Sequence, residues 1–254
     1  MLEVKNVMKS FGGLQAVYDC SLGAQQGTIT GLIGPNGAGK TTLFNLITGF
    51  YKPDSGEIYF CGERIDGLGP HRIFHRKLYR TFQITREFSQ MTVLENLMLV
   101  SPFQAGEKIW NTWFRPAFVK SQERSIREKA LDVLEFVDLI DLKDEFAGSL
   151  SGGQKKLLEL AKTMMAEPKM VLLDEPSAGV NPTLMKKLAE NIRRLCTEKE
   201  ITFLLIEHDM HLVMSLCNPV IVMSEGRKLA EGTPDDIRQD QRVLDAYLGG
   251  QSRW

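Results

Sequence analysis

The sequence predicts an α/β fold: a parallel sheet buried on both faces, carrying a phosphate-binding loop and interrupted by a helical subdomain. Three observations predict it. Near-continuous apolar runs at residues 170–173, 202–206 and 220–223 alternate with a helical pattern around 184–195, as in a parallel sheet covered by helices on both sides. Between about 93 and 136 the spacing turns helical, with Leu94, Leu97 and Met98 in one stretch and Leu131, Leu134, Phe136 and Val137 in another. Residues 34–42 read Gly-Pro-Asn-Gly-Ala-Gly-Lys-Thr-Thr, two glycines bracketing four residues before Lys-Thr.

The elements follow in chain order. Short apolar runs at 2–7, 16–22 and 57–60 make the first third strand-rich, divided by turns at Gly12-Gly13 and Pro53-Asp54-Ser55-Gly56. The run 28–33 reads as a buried strand, and 42–47 as a helix whose N-terminus faces an anion. In the loop between them, Gly34, Gly37 and Gly39 let the backbone wrap phosphate oxygens with its N–H groups inward. Pro35, Asn36, Ala38 and Thr42 complete the loop. Lys40 supplies a point charge to the β- and γ-phosphates and Thr41 a hydroxyl to Mg²⁺, so the chain is expected to bind a nucleoside triphosphate.

Further on, an aromatic connector at 102–119 holds Phe103, Trp110, Trp113, Phe114 and Phe118 amid Lys108, Arg115 and Lys120. Pro102, Gly106 and Pro116 argue against one regular core helix. Some of these aromatics are expected in a small core, and the Trp110–Trp113 turn at the periphery, partly exposed; a lipid–water boundary also suits Trp flanked by basic residues. Ser151 is a candidate cap for a helix running through Leu157, Leu158, Leu160 and Met164. The strand 170–173 ends in Asp174 and Glu175. Beside a phosphate loop, the first carboxylate suits Mg²⁺ and the second suits orienting water or accepting its proton.

Composition excludes several classes. The 254 residues are 43% hydrophobic and 25% charged, with a net charge of −1 and a pI near 6.5, so no global field draws the chain to nucleic acid or anionic lipid. No apolar run approaches a membrane span, and the opening Met1-Leu2-Glu3-Val4-Lys5 lacks the apolar stretch of a secretory signal. Cys20, Cys61, Cys196 and Cys217 lack zinc or redox spacing and are expected as reduced, structural thiols.

Leu150-Ser151-Gly152-Gly153-Gln154, lying between the two phosphate motifs, resembles the signature sequence of ATP-binding cassette (ABC) ATPases. The resemblance spans nearly the whole chain. It implies one ABC ATPase domain over 1–254. A nucleotide-binding P-loop core with an N-terminal antiparallel β subdomain would occupy 1–83 and 166–254, and a helical subdomain bearing the signature 84–165. It implies that Phe11 stacks on adenine, that Gln83 is the Q-loop residue contacting Mg²⁺ and water, and that His208 is the switch histidine at the γ-phosphate. Residues 151–154 would bind the nucleotide of a second cassette, whether the same or a homologous chain. Asn181, where many cassettes have aspartate, weakens any carry-over of that aspartate's role in subunit communication.

Within the family, the chain is similar to ATP-binding subunits of branched-chain or neutral amino-acid importers, through Arg80-Thr81-Phe82-Gln83, Met91-Thr92-Val93-Leu94-Glu95-Asn96, Ser177-Ala178-Gly179-Val180-Asn181-Pro182, Ile206-Glu207-His208-Asp209-Met210 and Glu231-Gly232-Thr233-Pro234. That implies integral membrane permease subunits docked near Gln83, an indirect extracytoplasmic substrate-binding protein, and a place on the cytoplasmic face of the membrane. The connector after Gln83 could then also shape the surface receiving the permease. The alternatives are a lipid or lipopolysaccharide transport ATPase and a non-transport nucleotide switch. The second is disfavoured by the single phosphate loop and the lack of a long heptad insertion.

Overall fold

A computed structural model describes residues 1–81, 87–107 and 109–248. In chain order the elements are β1 (Leu2–Phe11), β2 (Leu14–Ala24), β3 (Ile29–Ile33), α1 (Lys40–Ile47), β4 (Ser55–Phe60), β5 (Glu63–Arg64), α2 (Pro70–His75), β6 (Leu78–Arg80), α3 (Val93–Leu99), α4 (Ile109–Phe114), α5 (Pro116–Phe136) and α6 (Gly152–Met165). There follow β7 (Met170–Asp174), α7 (Pro182–Lys199), β8 (Thr202–Ile206), α8 (Met210–Leu216), β9 (Val220–Ser224), β10 (Arg227–Gly232), α9 (Pro234–Gln239) and α10 (Gln241–Leu248). The chain divides into two compact units, one of residues 1–83, 169–178 and 192–254, the other of 84–168 and 179–191.

The first unit holds two sheets. An antiparallel sheet in the order β2-β1-β4-β5 begins with alternation along β1, where Leu2 and Val4 are buried and Glu3 and Lys5 exposed. The second sheet runs β10-β9-β3-β8-β7-β6, with every pairing parallel except β10 against β9. All five residues of β3, of β7 and of β8 are buried, which is why these segments read as apolar runs without alternation. Leu43, Phe44, Leu46 and Ile47 of α1 sit in one cluster with Val4 and Ile58 of the small sheet and Leu172 and Leu204 of the large one. Each such side chain contributes about 1.5–3 kcal/mol by leaving water.

The second unit is helical. Glu95 and Thr92 close a reciprocal capping box at the start of α3. The 21-residue α5 buries Val119, Ile126, Ala130, Val133 and Leu134, one stripe at helical spacing. α6 buries Leu157, Leu158, Leu160 and Ala161, and α3, α5 and α6 pack on one another. By packing, the second unit also takes in 166–168 and 179–191, including the start of α7, which sequence reasoning had left in the core.

Candidate functional site

Sheet order assembles the site before any ligand is considered. Because β6, β7, β8 and β3 are parallel neighbours in register, their carboxyl ends share one edge of the sheet. There the chain leaves β6 at Arg80, β7 at Asp174-Glu175, β8 at Glu207-His208 and β3 at Gly34. In open α/β sheets this edge is where ligands bind.

The loop after β3 is built around its glycines. Gly34 has φ +150°, and a Cβ there would lie 2.1 Å from the Met223 carbonyl oxygen. Gly39 has φ +95°, and its Cβ would lie 2.3 Å from the Ala16 carbonyl oxygen. Gly37, at φ +80°, faces open space. From behind, the turn between β9 and β10 braces the loop: Gly226 N–H donates to the Ala38 carbonyl at 3.1 Å. α1 opens at Gly39 with no side-chain cap and no acidic residue in its first turn, leaving its amides available to an anion. Asn36, Gly37 and Thr41 are exposed, Pro35 and Thr42 half-buried.

Lys40 is buried and folds back, its Nζ donating to the Gly34 carbonyl at 2.7 Å and the Pro35 carbonyl at 3.0 Å. Burial pushes its pKa down, against the pull of Glu175 and Asp174, whose carboxylates favour the ammonium. An ammonium has three donors, so two bonds leave one for a ligand. The cradle therefore fits a polyphosphate, which would supply an anion in direct contact with a lysine whose two bonded acceptors are neutral carbonyls. Mg²⁺ also fits the Thr41 hydroxyl and the Asp174 carboxylate. Among the described residues no group of three or more His, Cys, Asp or Glu could hold a metal by itself, so phosphate oxygens would complete the shell.

Asp174 is held by Arg80. The guanidinium donates through Nη2 to Asp174 Oδ2 at 2.7 Å and through Nη1 to Asn45 Oδ1 of α1, and it lies over the Phe44 ring. Glu175 occupies the left-handed region at φ 49°, anchored by its N–H to the Ile206 carbonyl at 2.9 Å. His208 Nε2 lies 2.9 Å from Glu175 Oε1. Beneath them the buried Glu207 accepts from Ser177 N–H at 2.8 Å and from His208 N–H at 3.1 Å, joining the turns after β7 and β8.

The other candidates sit as follows. Ser151 caps α6 in a reciprocal box with Gln154, the local role its sequence suggested. Gly152 is exposed, whereas Gly153 is buried where a Cβ would come within 2.3 Å of Leu184 Cδ1, so a larger residue would have to displace the Leu184 side chain. Phe11 is 41% exposed, edge-on to Tyr51 at 5.1 Å with Lys9 Nζ 5.5 Å from its centroid. Gln83 lies outside the described residues. Trp110 and Trp113 are exposed, where the connector's periphery was expected, but Phe103, Phe114 and Phe118 are exposed as well, so none of these five aromatics fills the small core expected of some of them. Sequence reasoning assigned no role to Arg80, Asn45 or Glu207; the one available signal was their place at, or facing, the ends of apolar runs.

The ABC transporter family model matches residues 17–178, and a C-terminal model described as branched-chain amino acid ATP-binding cassette transporter matches 227–252. The chain is 44% identical over 250 residues to a high-affinity branched-chain amino acid transport ATP-binding protein, BraF, of Pseudomonas aeruginosa, covering 98% of both. It is 41% identical over 255 residues to a probable branched-chain amino acid transport ATP-binding protein, LivG, of Archaeoglobus fulgidus, covering 99% of this chain and 96% of that one. A crystal structure of an ATP-binding cassette of an ABC transporter in its ADP conformation superposes with a TM-score of 0.84 at 39% identity, covering 98% of each chain. Phosphate cradle, strand-end carboxylates and full-length similarity agree: the chain belongs to the ABC transporter ATP-binding cassettes and is an ATP-hydrolysing P-loop protein.

Proposed function

We propose that this cassette powers uptake of branched-chain or neutral amino acids through integral membrane permease subunits, from the cytoplasmic face of the membrane. An extracytoplasmic binding protein would deliver the substrate. The observation that carries the reading is full-length identity of 41–44% to relatives described as branched-chain amino acid transport proteins, reinforced by the match at 227–252. That C-terminal match favours the amino-acid branch over a lipid transporter.

In the proposed mechanism the loop 34–42 grips the phosphates of ATP through its amides while Lys40 meets the β- and γ-phosphates. Thr41, Asp174 and Gln83 would hold Mg²⁺, which when bound would supply positive charge against the phosphates. Glu175 orients the attacking water and draws its proton, and His208 contacts the γ-phosphate. The 2.9 Å Glu175–His208 contact supports joint action, because a change at one side chain is felt at the other. Phe11 stacks on adenine. Ser151–Gln154 of a second cassette, identical or homologous, closes over the same nucleotide, so that binding joins the two and hydrolysis parts them.

The test is reconstitution with copurifying permease subunits and binding protein in vesicles. ATP-dependent uptake of labelled branched-chain or neutral amino acids is expected. Glu175→Gln should retain ATP binding and lower turnover by about 10²–10⁴-fold. Uptake of none of these amino acids, with ATPase activity stimulated by an unrelated substrate, would overturn the transport reading. Near-normal turnover in Glu175→Gln would overturn the assignment of the base.

A further inference from the structure

α4 buries no side chain outright: its polar ones fold back on the turn before it and its apolar ones face solvent. Asn111 Nδ2 donates to the Ala105 carbonyl at 3.0 Å and Thr112 Oγ1 to the Gly106 carbonyl at 3.3 Å, so its hydrogen-bonding side chains grip the preceding turn. That turn is held from α5, where Gln122 accepts from Ala105 N–H at 2.6 Å and donates to the Phe103 carbonyl at 3.1 Å. Ile109, Trp110, Trp113 and Phe114 are all exposed, the two tryptophans to 74% and 78%. The Trp110 and Phe114 rings stack at 5.8 Å and 15°, forming one flat apolar slab. A loop fastened by its polar side chains and showing its largest apolar ones to solvent marks an interaction site.

Charge decides the neighbour. Residues 108–122, bounded by Glu107 and Glu123, contain Lys108, Arg115 and Lys120 and no Asp or Glu, in a chain whose net charge is −1. Arg115 and Lys120 are exposed, Arg115 next in the chain after Phe114. A second copy would set this basic stretch against itself. Protein interface cores favour Trp, Phe and Arg, as at Arg115, but are depleted in Lys, as at Lys108 and Lys120. The headgroup layer of an anionic bilayer accepts both halves: Trp and Phe settle at the lipid–water boundary while basic side chains meet lipid phosphates.

We propose that α4 and its flanking loop form a membrane-surface anchor, dipping Trp110, Trp113 and Phe114 into the headgroup region of an anionic bilayer, with Arg115 and Lys120 on lipid phosphates. The proposal takes from the transport reading only the presence of a membrane; vesicle binding tests the anchor and amino-acid uptake tests transport, so each can fail alone.

The experiment mixes the purified full chain, carrying Trp254→Phe so that only Trp110 and Trp113 emit, with protein-free vesicles. One set contains phosphatidylglycerol and phosphatidylcholine, the other phosphatidylcholine alone. Blue-shifted emission and cosedimentation are expected with the anionic set, weakening as salt rises through the range where the Debye length shrinks from about 10 Å to 3 Å. Trp110→Ser with Trp113→Ser should lower partitioning, read by sedimentation, at least about tenfold while far-UV circular dichroism and nucleotide binding stay unchanged. Arg115→Gln or Lys120→Gln should each weaken anionic binding about fivefold. The anchor is refuted if anionic vesicles neither shift the emission nor sediment the chain, or if the double serine variant binds them as well as the parent. It is equally refuted if the tryptophans become shielded only when permease subunits are present, which would assign the slab to a protein partner.

Discussion

Breaking the Arg80–Asp174 pair isolates what the sheet edge does for Asp174, the carboxylate proposed to hold Mg²⁺. The side chains are only 8% and 9% exposed and 2.7 Å apart. At an effective dielectric constant of 20, unit charges about 4 Å apart attract by roughly 4 kcal/mol, and removing one member of a buried pair typically costs about 3–5 kcal/mol. Lys40 lies close enough for Asp174 to favour its charge, so it compensates in part and the lower end applies. Arg80→Met should therefore destabilise the nucleotide-free protein by about 3 kcal/mol, lowering the thermal midpoint by about 6–12 °C for a chain of this size. Arg80→Lys keeps the charge but loses the fork that also reaches Asn45, and should lie between. Calorimetry on Arg80→Met, Asp174→Asn and the double variant closes a cycle whose coupling should be about 2–3 kcal/mol. Additive effects, or an Arg80→Met midpoint within about 2 °C of the parent, would refute the pairing as a determinant of stability.

Three further expectations are independent of that pair. Gly39→Ala places a Cβ 2.3 Å from the backbone oxygen of Ala16 at φ +95°, so the loop must move; nucleotide binding by calorimetry should fall below detection, with at least about 1–2 kcal/mol of stability lost. Burial pushes the Cys217 thiol up to about 12 from 9.0, so the native state keeps a proton the unfolded chain releases; that stability is whole below pH 9 and is lost as pH rises toward 12. At pH 10 the loss is about 1.4 kcal/mol relative to neutral pH, and Cys217→Ala should flatten this part of a urea-stability profile. Phe11→Ala should raise the ATP dissociation constant and barely move the thermal midpoint, because its ring is substantially exposed; the opposite pattern would make Phe11 a structural aromatic.

The parts of the fold legible in the sequence were those with a local signature. β7 and β8 bury every residue, and the apolar runs that betrayed them stop within a residue of the observed ends. β6 escaped notice because three residues, Leu78–Arg80, are too few to show a pattern, yet its pairing with β7 brings Arg80 to Asp174. β10 offers no such run for a different reason: it is an edge strand whose residues are mostly exposed or half-buried. The loop 34–42 was readable to the individual glycine, since its backbone demands no other residue at Gly34 and Gly39.

The site divides along the same line. Asp174 and Glu175 could be read because one strand delivers them, whereas Glu207 joins two turns through hydrogen bonds that exist only after β7 and β8 lie side by side. Its two oxygens fix the amides of Ser177 and His208, and so the two ends from which Glu175 and His208 reach each other. Glu175 holds φ 49°, a conformation costing a non-glycine residue about 1–2 kcal/mol, and it keeps that shape because both flanking turns are tied to one buried carboxylate. Glu207→Gln retains an acceptor for one amide and loses the second. Thermal stability should therefore fall modestly, while ATP turnover should fall more steeply than ATP affinity, since the positioning of Glu175 is lost before the phosphate cradle is touched. Equal losses in affinity and turnover would place Glu207 in the general stability of the core and leave the geometry of Glu175 to its own strand.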